Sequence, residues 1–324
     1  MAGKLSRRLL LSGVAGLGGV AALGAAALSG AITWDGRRIP TGFLKQYWRE
    51  MGRSIAVPTK TPDVQSWPDK GLHIAWLGHS TVLMKLDGFT VLTDPMLSAR
   101  AGLSFGPITI GVKRLVQPAL ALERLPKVDL ILLSHAHMDH FDLPSLRALE
   151  SPNVQVVTAT STSDLLRVRK YGAVQEVGWD SQVHVGPARV RGLRVRHWGA
   201  RMQTDTYRGY NGYLLTVGRW RVLFAGDTAN TDAFRGLPDT SQGVHAALMP
   251  IGAYNPWITA HCNPEEAWRM GNEARADVLL PIHYQTFALG REPGGEPLER
   301  FRAAAGSAVE RVGWATIGDE FHLT

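Results

Sequence analysis

The eleven residues Leu132–Asp142, LLSHAHMDHFD, hold three histidines and two aspartates directly after the apolar run VDLILL. In chain leaving a strand, residues two apart point the same way, so His135 and His137 can converge on one metal ion. Asp139 and His140 come a turn later, where the chain bends toward a helix, and can face a second position beside the first. Three more donors close apolar segments elsewhere: His197 ends VRGLRVRH, Asp227 ends WRVLFAGD and His283 ends ADVLLPIH. Asp227 follows the small pair Ala225-Gly226, which suits a carboxylate that must approach two ions and bridge them. The single cysteine, Cys262, leaves no intramolecular disulfide and no cysteine-based zinc knuckle, so imidazole and carboxylate must hold any metal.

Strands have to deliver those donors. Apolar alternation predicts strands over Leu72–Leu77, Thr81–Leu86 and Phe89–Thr93, with an Asp87-Gly88 turn between the last two. The continuous apolar run Asp129–Leu133 reads as a buried central strand, and FDLPSLRALE behind it as a helix with Asp142 at its N-cap and Pro144 in its first turn. Further strands are expected at Val154–Thr158, Ala188–Val195, Tyr213–Val217, Arg221–Ala225, Ala247–Ile251 and Val278–Ile282. Helices are expected at Ser163–Tyr171, Pro264–Ala276 and Pro297–Ala305. Strand clusters with interspersed helices imply an α/β protein of two packed sheets covered by helices.

The 324-residue chain is 45% hydrophobic with 35 Gly and 18 Pro, as expected of a globular, loop-rich protein. Its formal net charge of +7 suits an anionic partner such as a membrane surface or phospholipid. The arginines are scattered, with no run of five like charges, which argues against nucleic acid. Three segments follow from composition. Residues 1–31 read as a signal peptide or membrane anchor: Lys4, Arg7 and Arg8 precede a run without charge from Leu9 to Trp34, and Ala25-Ala26-Ala27 offers a small-residue cleavage site. Ser6-Arg7-Arg8 resembles a twin-arginine export signal, with Leu10 where that signal usually has Phe. Residues 32–70, with FLKQYWREMGR as a short helix and VPTKTPDVQSWPDKG as a breaker-rich connector, read as an extension wrapped on the domain. Residues 71–324 read as the domain proper, the candidate catalytic domain because all seven donors fall in it.

In this order SHAHMDH, RHWGAR, FAGDT and LLPIHYQTF resemble the metallo-β-lactamase superfamily, whose αββα sandwich binds two metals at the edge of its central sheets. Within it, LGHSTVLMKLDGFTVLTDP and MPIGAYNPW, HCNPEEAW and PIHYQTFAL look most like the branch containing N-acyl phosphatidylethanolamine-hydrolysing phospholipase D. The resemblance spans roughly Leu72–Leu289. It implies that His135, His137 and His197 hold one metal, that Asp139, His140 and His283 hold the other, and that Asp227 bridges them. Each ion then keeps an open position, which marks a catalytic site. Water shared between such ions is activated at neutral pH, and Asp139 is a candidate to take or orient its proton. The donors favour two Zn2+, though iron or manganese suits them too.

Substrate selection is expected in the branch motifs. His261 is a candidate to bind a phosphate oxygen or protonate a leaving group, and Tyr254 and Trp257 to line the pocket. Trp198 and Phe287 either meet an acyl chain or pack in the core. His79 reads as a hydrogen-bonded structural histidine, while His73, His184, His245 and His322 show no site context. The resemblance implies a phosphodiesterase of phospholipase D type acting on a small-molecule or lipid substrate at a membrane surface, in the periplasm or cell envelope. A lactone hydrolase or nuclease with the same site, and a non-catalytic metal-binding envelope protein, are the alternatives.

Overall fold

The computed structural model describes residues 33–34, 37–38 and 46–324, apart from 106–107, 203 and 238–242. Residues 1–31, where the export reading falls, lie outside the described residues. Among the described residues no helix is long and apolar enough to cross a membrane.

The apolar segments form the strands they predict. Strands β1 (Leu72–Gly78), β2 (Thr81–Leu86) and β3 (Phe89–Thr93) make an antiparallel meander, and β6 (Leu130–Leu133) joins β3 in parallel. All four residues of β6 are buried, because a central parallel strand is covered on both faces. A ribbon, β4 (Arg100–Phe105) and β5 (Ile108–Lys113), stands between β3 and β6 in the chain and pairs only with itself. With β7 (Gln155–Ala159), β8 (Ala173–Val177) and β15 (Glu320–Leu323) the first sheet has the order β8-β7-β6-β3-β2-β1-β15. The second sheet runs β9 (Gln182–Val185), β10 (Ala188–Leu193), β11 (Gly212–Val217), β12 (Trp220–Phe224), β13 (Val244–Pro250), β14 (Ala276–Ile282) in chain order. One continuous apolar core joins both sheets, from Ile74, Leu83 and Leu132 to Leu215, Phe224 and Leu280. Helices α2 (Pro264–Glu273) and α3 (Glu296–Ala305) pack on each other, and α2 packs on β13 and β14, which gives the layered α/β sandwich.

Strand direction does the positioning. β1 and β3 are both antiparallel to β2, and β6 is parallel to β3, so these three point the same way. In the second sheet β10, β12, β13 and β14 likewise share one direction. Their carboxyl ends therefore gather at common edges, and the donors sit just past those ends.

Asp142 caps helix α1 (Leu143–Ala148) through its side chain, which accepts from Ser145 N at 3.2 Å, with the expected proline in the first turn. The helix expected at Ser163–Tyr171 is instead two isolated 3-10 turns, Ser163–Leu165 and Val168–Lys170. The Glu176 carboxylate takes the backbone N–H groups of Ser161, Thr162 and Ser163, and the chain extends at Leu166 before a second turn can add. Only a short turn over 46–49 forms within FLKQYWREMGR among the described residues. The chain from Glu50 to Trp67 then runs along the body. Ala56 pairs with Val116, Arg53 donates to the carbonyls of Lys113 and Arg114, and Trp67 Nε1 donates to Glu320 at 2.7 Å.

Candidate metal centre

His135 Nε2 and His197 Nε2 lie 2.8 and 3.2 Å from His137 Nδ1, so three imidazole nitrogens face one point. Their other nitrogens show why. His197 Nδ1 is 2.8 Å from the Ala260 carbonyl, which only accepts, so the proton sits on Nδ1 and the Nε2 lone pair is offered inward. His135 Nδ1 rests on Ser134 Oγ at 2.9 Å. Burial first, and then the neighbouring imidazoles, push the pKa of His135 well below its ordinary value; burial likewise holds His137 at about 4. Neutral, inward-facing nitrogens are the form that binds metal.

Beside this trio, the ring nitrogens of His79, His140 and His283 gather around the Asp139 carboxylate. Asp139 Oδ2 is 2.9 Å from His79 Nε2, 3.5 Å from His140 Nε2 and 3.6 Å from His283 Nε2. Burial works against its charge, but His140, His283 and His79 outweigh burial and hold the Asp139 carboxyl well below the usual carboxylate range. Asp227 Oδ2 stands 3.1 Å from both His140 Nε2 and His283 Nε2 and 3.9 Å from His197 Nε2, so one oxygen reaches toward both groups. The sharp turn that brings it in uses Gly226 at φ +59°, where a Cβ would lie 2.7 Å from the Asn211 carbonyl oxygen. His79 and His283 also turn with positive φ, and their backbones are tied together by His283 N donating to His79 O at 3.1 Å.

The donor set fits a pair of cations. His140 Nε2, His283 Nε2 and Asp227 Oδ1 are buried without a hydrogen-bond partner, although the carboxylates of Asp139 and Asp227 crowd the same space. The two carboxylates outweigh burial and raise the His140 pKa well above its ordinary value and that of His283 to about 9, so this spot gathers positive charge, and a bound cation would take the place of those protons.

The family model of the beta-lactamase superfamily domain matches residues 90–284, more than half of the chain. The chain belongs to the metallo-β-lactamase superfamily of hydrolases. An uncharacterized Mycobacterium tuberculosis protein is 33% identical over 260 residues, covering 77% of this chain and 68% of its own. The N-acyl-phosphatidylethanolamine-hydrolyzing phospholipase D 1 of Caenorhabditis elegans is 32% identical over 238 residues, covering 68% of this chain and 66% of its own. The mitochondrial enzyme of the same description from Saccharomyces cerevisiae is 30% identical; this chain covers 71% of itself but only 51% of that enzyme. Among solved structures, a metallo hydrolase from Ignicoccus hospitalis superposes with a TM-score of 0.58 at 18% identity, over 79% of this chain and 99% of that one. CmlA, a diiron beta-hydroxylase from Streptomyces venezuelae, superposes with a TM-score of 0.55 at 18% identity, over 79% of this chain and 54% of that one.

In this metallo-β-lactamase-fold hydrolase the seven donors expected from the sequence come together in two adjoining groups. His261 joins them: it is buried, its Nδ1 lies 3.8 Å from Asp227 Oδ2, and burial holds its pKa at about 4. Trp198 covers the first group, its ring 4.4 Å from that of His197 and 4.6 Å from that of His137, while 43% of the residue stays exposed. Trp257 is 52% exposed, and its carbonyl accepts from His261 N. Tyr254 goes elsewhere: its hydroxyl donates to Glu296 at 2.6 Å, under the Arg300 guanidinium, so helix α3 claims the phenol that was expected to line the pocket.

Three residues of the site were not singled out from the sequence. Asp94 takes His140 Nδ1 at 2.7 Å; its sequence signals are an acid directly after a buried strand and its place in the motif ending VLTDP. Ser134 joins Asp94 to His135. Arg201 donates to the carbonyls of Ala136 at 3.0 Å and Phe141 at 2.8 Å, clasping both ends of the loop that bears His137, Asp139 and His140. His79 is a hydrogen-bonded histidine as expected, but its partner is Asp139.

Proposed function

We propose that this chain is a dinuclear metal-dependent phosphodiesterase that hydrolyses N-acyl phosphatidylethanolamine-type phospholipids. Water oxygen bonds to phosphorus, the phosphorus–oxygen bond to the N-acylethanolamine breaks, and the departing oxygen receives a proton, leaving phosphatidic acid and an N-acylethanolamine. The observation that carries the reading is Asp227 Oδ2, placed within 3.1–3.9 Å of imidazoles from both donor groups. In this reading His135, His137 and His197 hold one ion, Asp139, His140 and His283 hold the other, and Asp227 serves both. Two bound divalent ions supply Lewis acidity and water activation at neutral pH. Imidazole and carboxylate favour zinc and also accept iron, the metal of the diiron enzyme that shares this fold.

The chain's own residues do the rest. Asp139, held by His79, orients and takes the proton of the attacking water. His261, with a buried and unpartnered Nδ1, donates to a phosphoryl oxygen or returns the proton to the leaving group. Trp198 and Trp257, exposed beside the histidines, form the rim that an acyl chain crosses. The worm and yeast relatives, each described as hydrolysing this lipid class, support the substrate. We also place the protein in the periplasm or cell envelope, exported by residues 1–31.

The test is metal analysis of the purified protein, with mass spectrometry of products formed from a lipid extract and parallel assays on bis(p-nitrophenyl) phosphate and a lactone. Two ions per chain, N-acylethanolamine release and its loss in Asp139→Ala are expected. Lactone turnover alone would sink the lipid reading, cleavage of the aryl diester without lipid hydrolysis would point to a nuclease, and metal without any turnover would leave a binding protein. Cell fractionation tests the location, and removal of residues 1–31 is expected to leave turnover intact.

A further inference from the structure

The ribbon of β4 and β5 sorts its side chains by face. Cross-strand partners share a face, so Ala101–Val112 and Leu103–Ile110 lie on one side while Arg100–Lys113, Gly102–Gly111 and Ser104–Thr109 lie on the other. The apolar side starts in the body: Ala101 and Val112 pack with Met96, Phe287 and Leu289, and the Phe287 ring meets the His79 ring edge-on at 5.2 Å. Toward the turn the burial fades. Leu103 and Ile110 are half-buried and Ile108 is exposed. An apolar strip thus runs outward from the buried Met96, Ala101 and Phe287 to the exposed Ile108. Gly102 and Gly111 keep the polar side thin, since a Cβ on either would lie within 2.0 Å of a backbone oxygen of the opposite strand.

The base of this ribbon is basic and aromatic. Lys113 N donates to Glu50, the Arg100 guanidinium lies 4.3 Å over the Tyr47 ring, and Arg53 donates to Lys113 O. Trp48 and Met51 are about two-fifths exposed there, beside the exposed side chain of Arg49. Only residues 35–45 separate this turn from the uncharged run Leu9–Trp34. At roughly 3.3–3.6 Å per residue that connection spans at most ~40 Å. Retained as an anchor, a run of that length and polarity would hold the ribbon next to a membrane.

We propose that strands β4 and β5 seat the protein on an anionic phospholipid bilayer, with Ile108, Leu103 and Ile110 entering the acyl layer. Trp48 and the exposed side chain of Arg49 lie at the headgroups, where aromatic and long cationic side chains are favoured. The net charge of +7 favours an anionic over a neutral surface. The choice of a lipid surface agrees with the proposed lipid substrate, but the readout of the test is independent of turnover.

Cys262 is the only cysteine and is buried, so a new surface cysteine can be labelled selectively. The full chain carrying Ile108→Cys, labelled with an environment-sensitive nitrobenzoxadiazole dye, is mixed with phosphatidylglycerol vesicles and with phosphatidylcholine vesicles. Val309→Cys, exposed on a segment away from the ribbon, serves as the reference. A several-fold fluorescence rise with a blue shift is expected for Ile108→Cys on phosphatidylglycerol, less on phosphatidylcholine and none for Val309→Cys. Adding Ile110→Asp to the labelled chain is expected to remove most of the rise. A vesicle-bound protein whose Ile108→Cys label stays in water, or responds like the Val309→Cys label, overturns the proposal even if lipid hydrolysis is observed; a full rise without lipid hydrolysis sustains it and counts only against the substrate. Equal responses on both vesicle types overturn the anionic assignment.

Discussion

Asp94 Oδ2 lies 2.7 Å from His140 Nδ1, and the same side chain also takes the Ser134 hydroxyl at 2.5 Å and its N–H at 2.7 Å. One buried carboxylate at the end of β3 thereby fixes the ring of a donor after β6 and, through Ser134, the Nδ1 edge of His135. It serves both groups without belonging to either. Partners of this kind set the tautomer of a ligating imidazole, and losing one costs about tenfold to a hundredfold in metal affinity or activity. Asp94→Ala is therefore expected to lose metal in competition with a chelator at about ten- to hundredfold lower chelator concentration, with Asp94→Asn in between. Wild-type retention in Asp94→Ala would remove this role.

His79 holds Asp139 from the far side of the second group, 2.9 Å away, with its ring 4.1 Å from that of His283. It acts through the carboxylate it touches. His79→Ala is expected to lower kcat roughly tenfold or more while KM changes little, and His79→Gln, which can still donate, to recover part of the loss. A rise in KM alone would place His79 in substrate binding instead.

Arg201 is tested by its geometry. Its guanidinium satisfies two carbonyls that flank the donor loop, and burial lowers its pKa to about 10, still charged at neutral pH. Arg201→Met leaves both carbonyls unmatched and is expected to cost about 2–4 kcal/mol of stability, read from denaturant midpoints. Loss of metal is expected in the same variant. Unchanged stability would show the loop to be held by other contacts.

The loop after His197 is pinned by Arg208, which donates to Asp205, to Ser161 O and to both oxygens of Asp164. The hydrogen bond from Arg208 lowers the Asp164 pKa below its ordinary 3.8. A carboxylate whose pKa falls on folding adds stability that is present above its unfolded pKa of about 3.9 and is lost as pH drops through its folded value. Wild type is therefore expected to be somewhat more stable than Asp164→Asn at pH 7, by a small amount because Asp164 is 60% exposed. The gap narrows below about pH 4. A gap that stays constant from pH 7 to pH 3 in urea titrations would contradict this.

Much of the site is legible in the chain because metal donors announce themselves by type. SHAHMDH keeps four within six positions, and His197, Asp227 and His283 each follow an apolar segment that becomes a strand, so local pattern and chemistry agree. The Ser163–Tyr171 segment shows the limit: its pattern is helical, but Glu176, thirteen residues on from Ser163, captures the N–H groups that begin it. Tyr254 shows the same limit in a side chain, since its motif points to the pocket while Glu296 holds its hydroxyl.

By itself the sequence determined which groups are available, two short-range pairs and three distant partners, and that each would sit where a strand gives way to a loop. Only the tertiary structure decided that those strands point the same way, so that their ends meet at one edge, and which imidazole nitrogen faces inward. The reason is physical. Sheet direction and hydrogen-bond pairing are settled between segments far apart in the chain, such as Asp94 with His140 and His79 with Asp139, and hydrophobic periodicity carries no record of them.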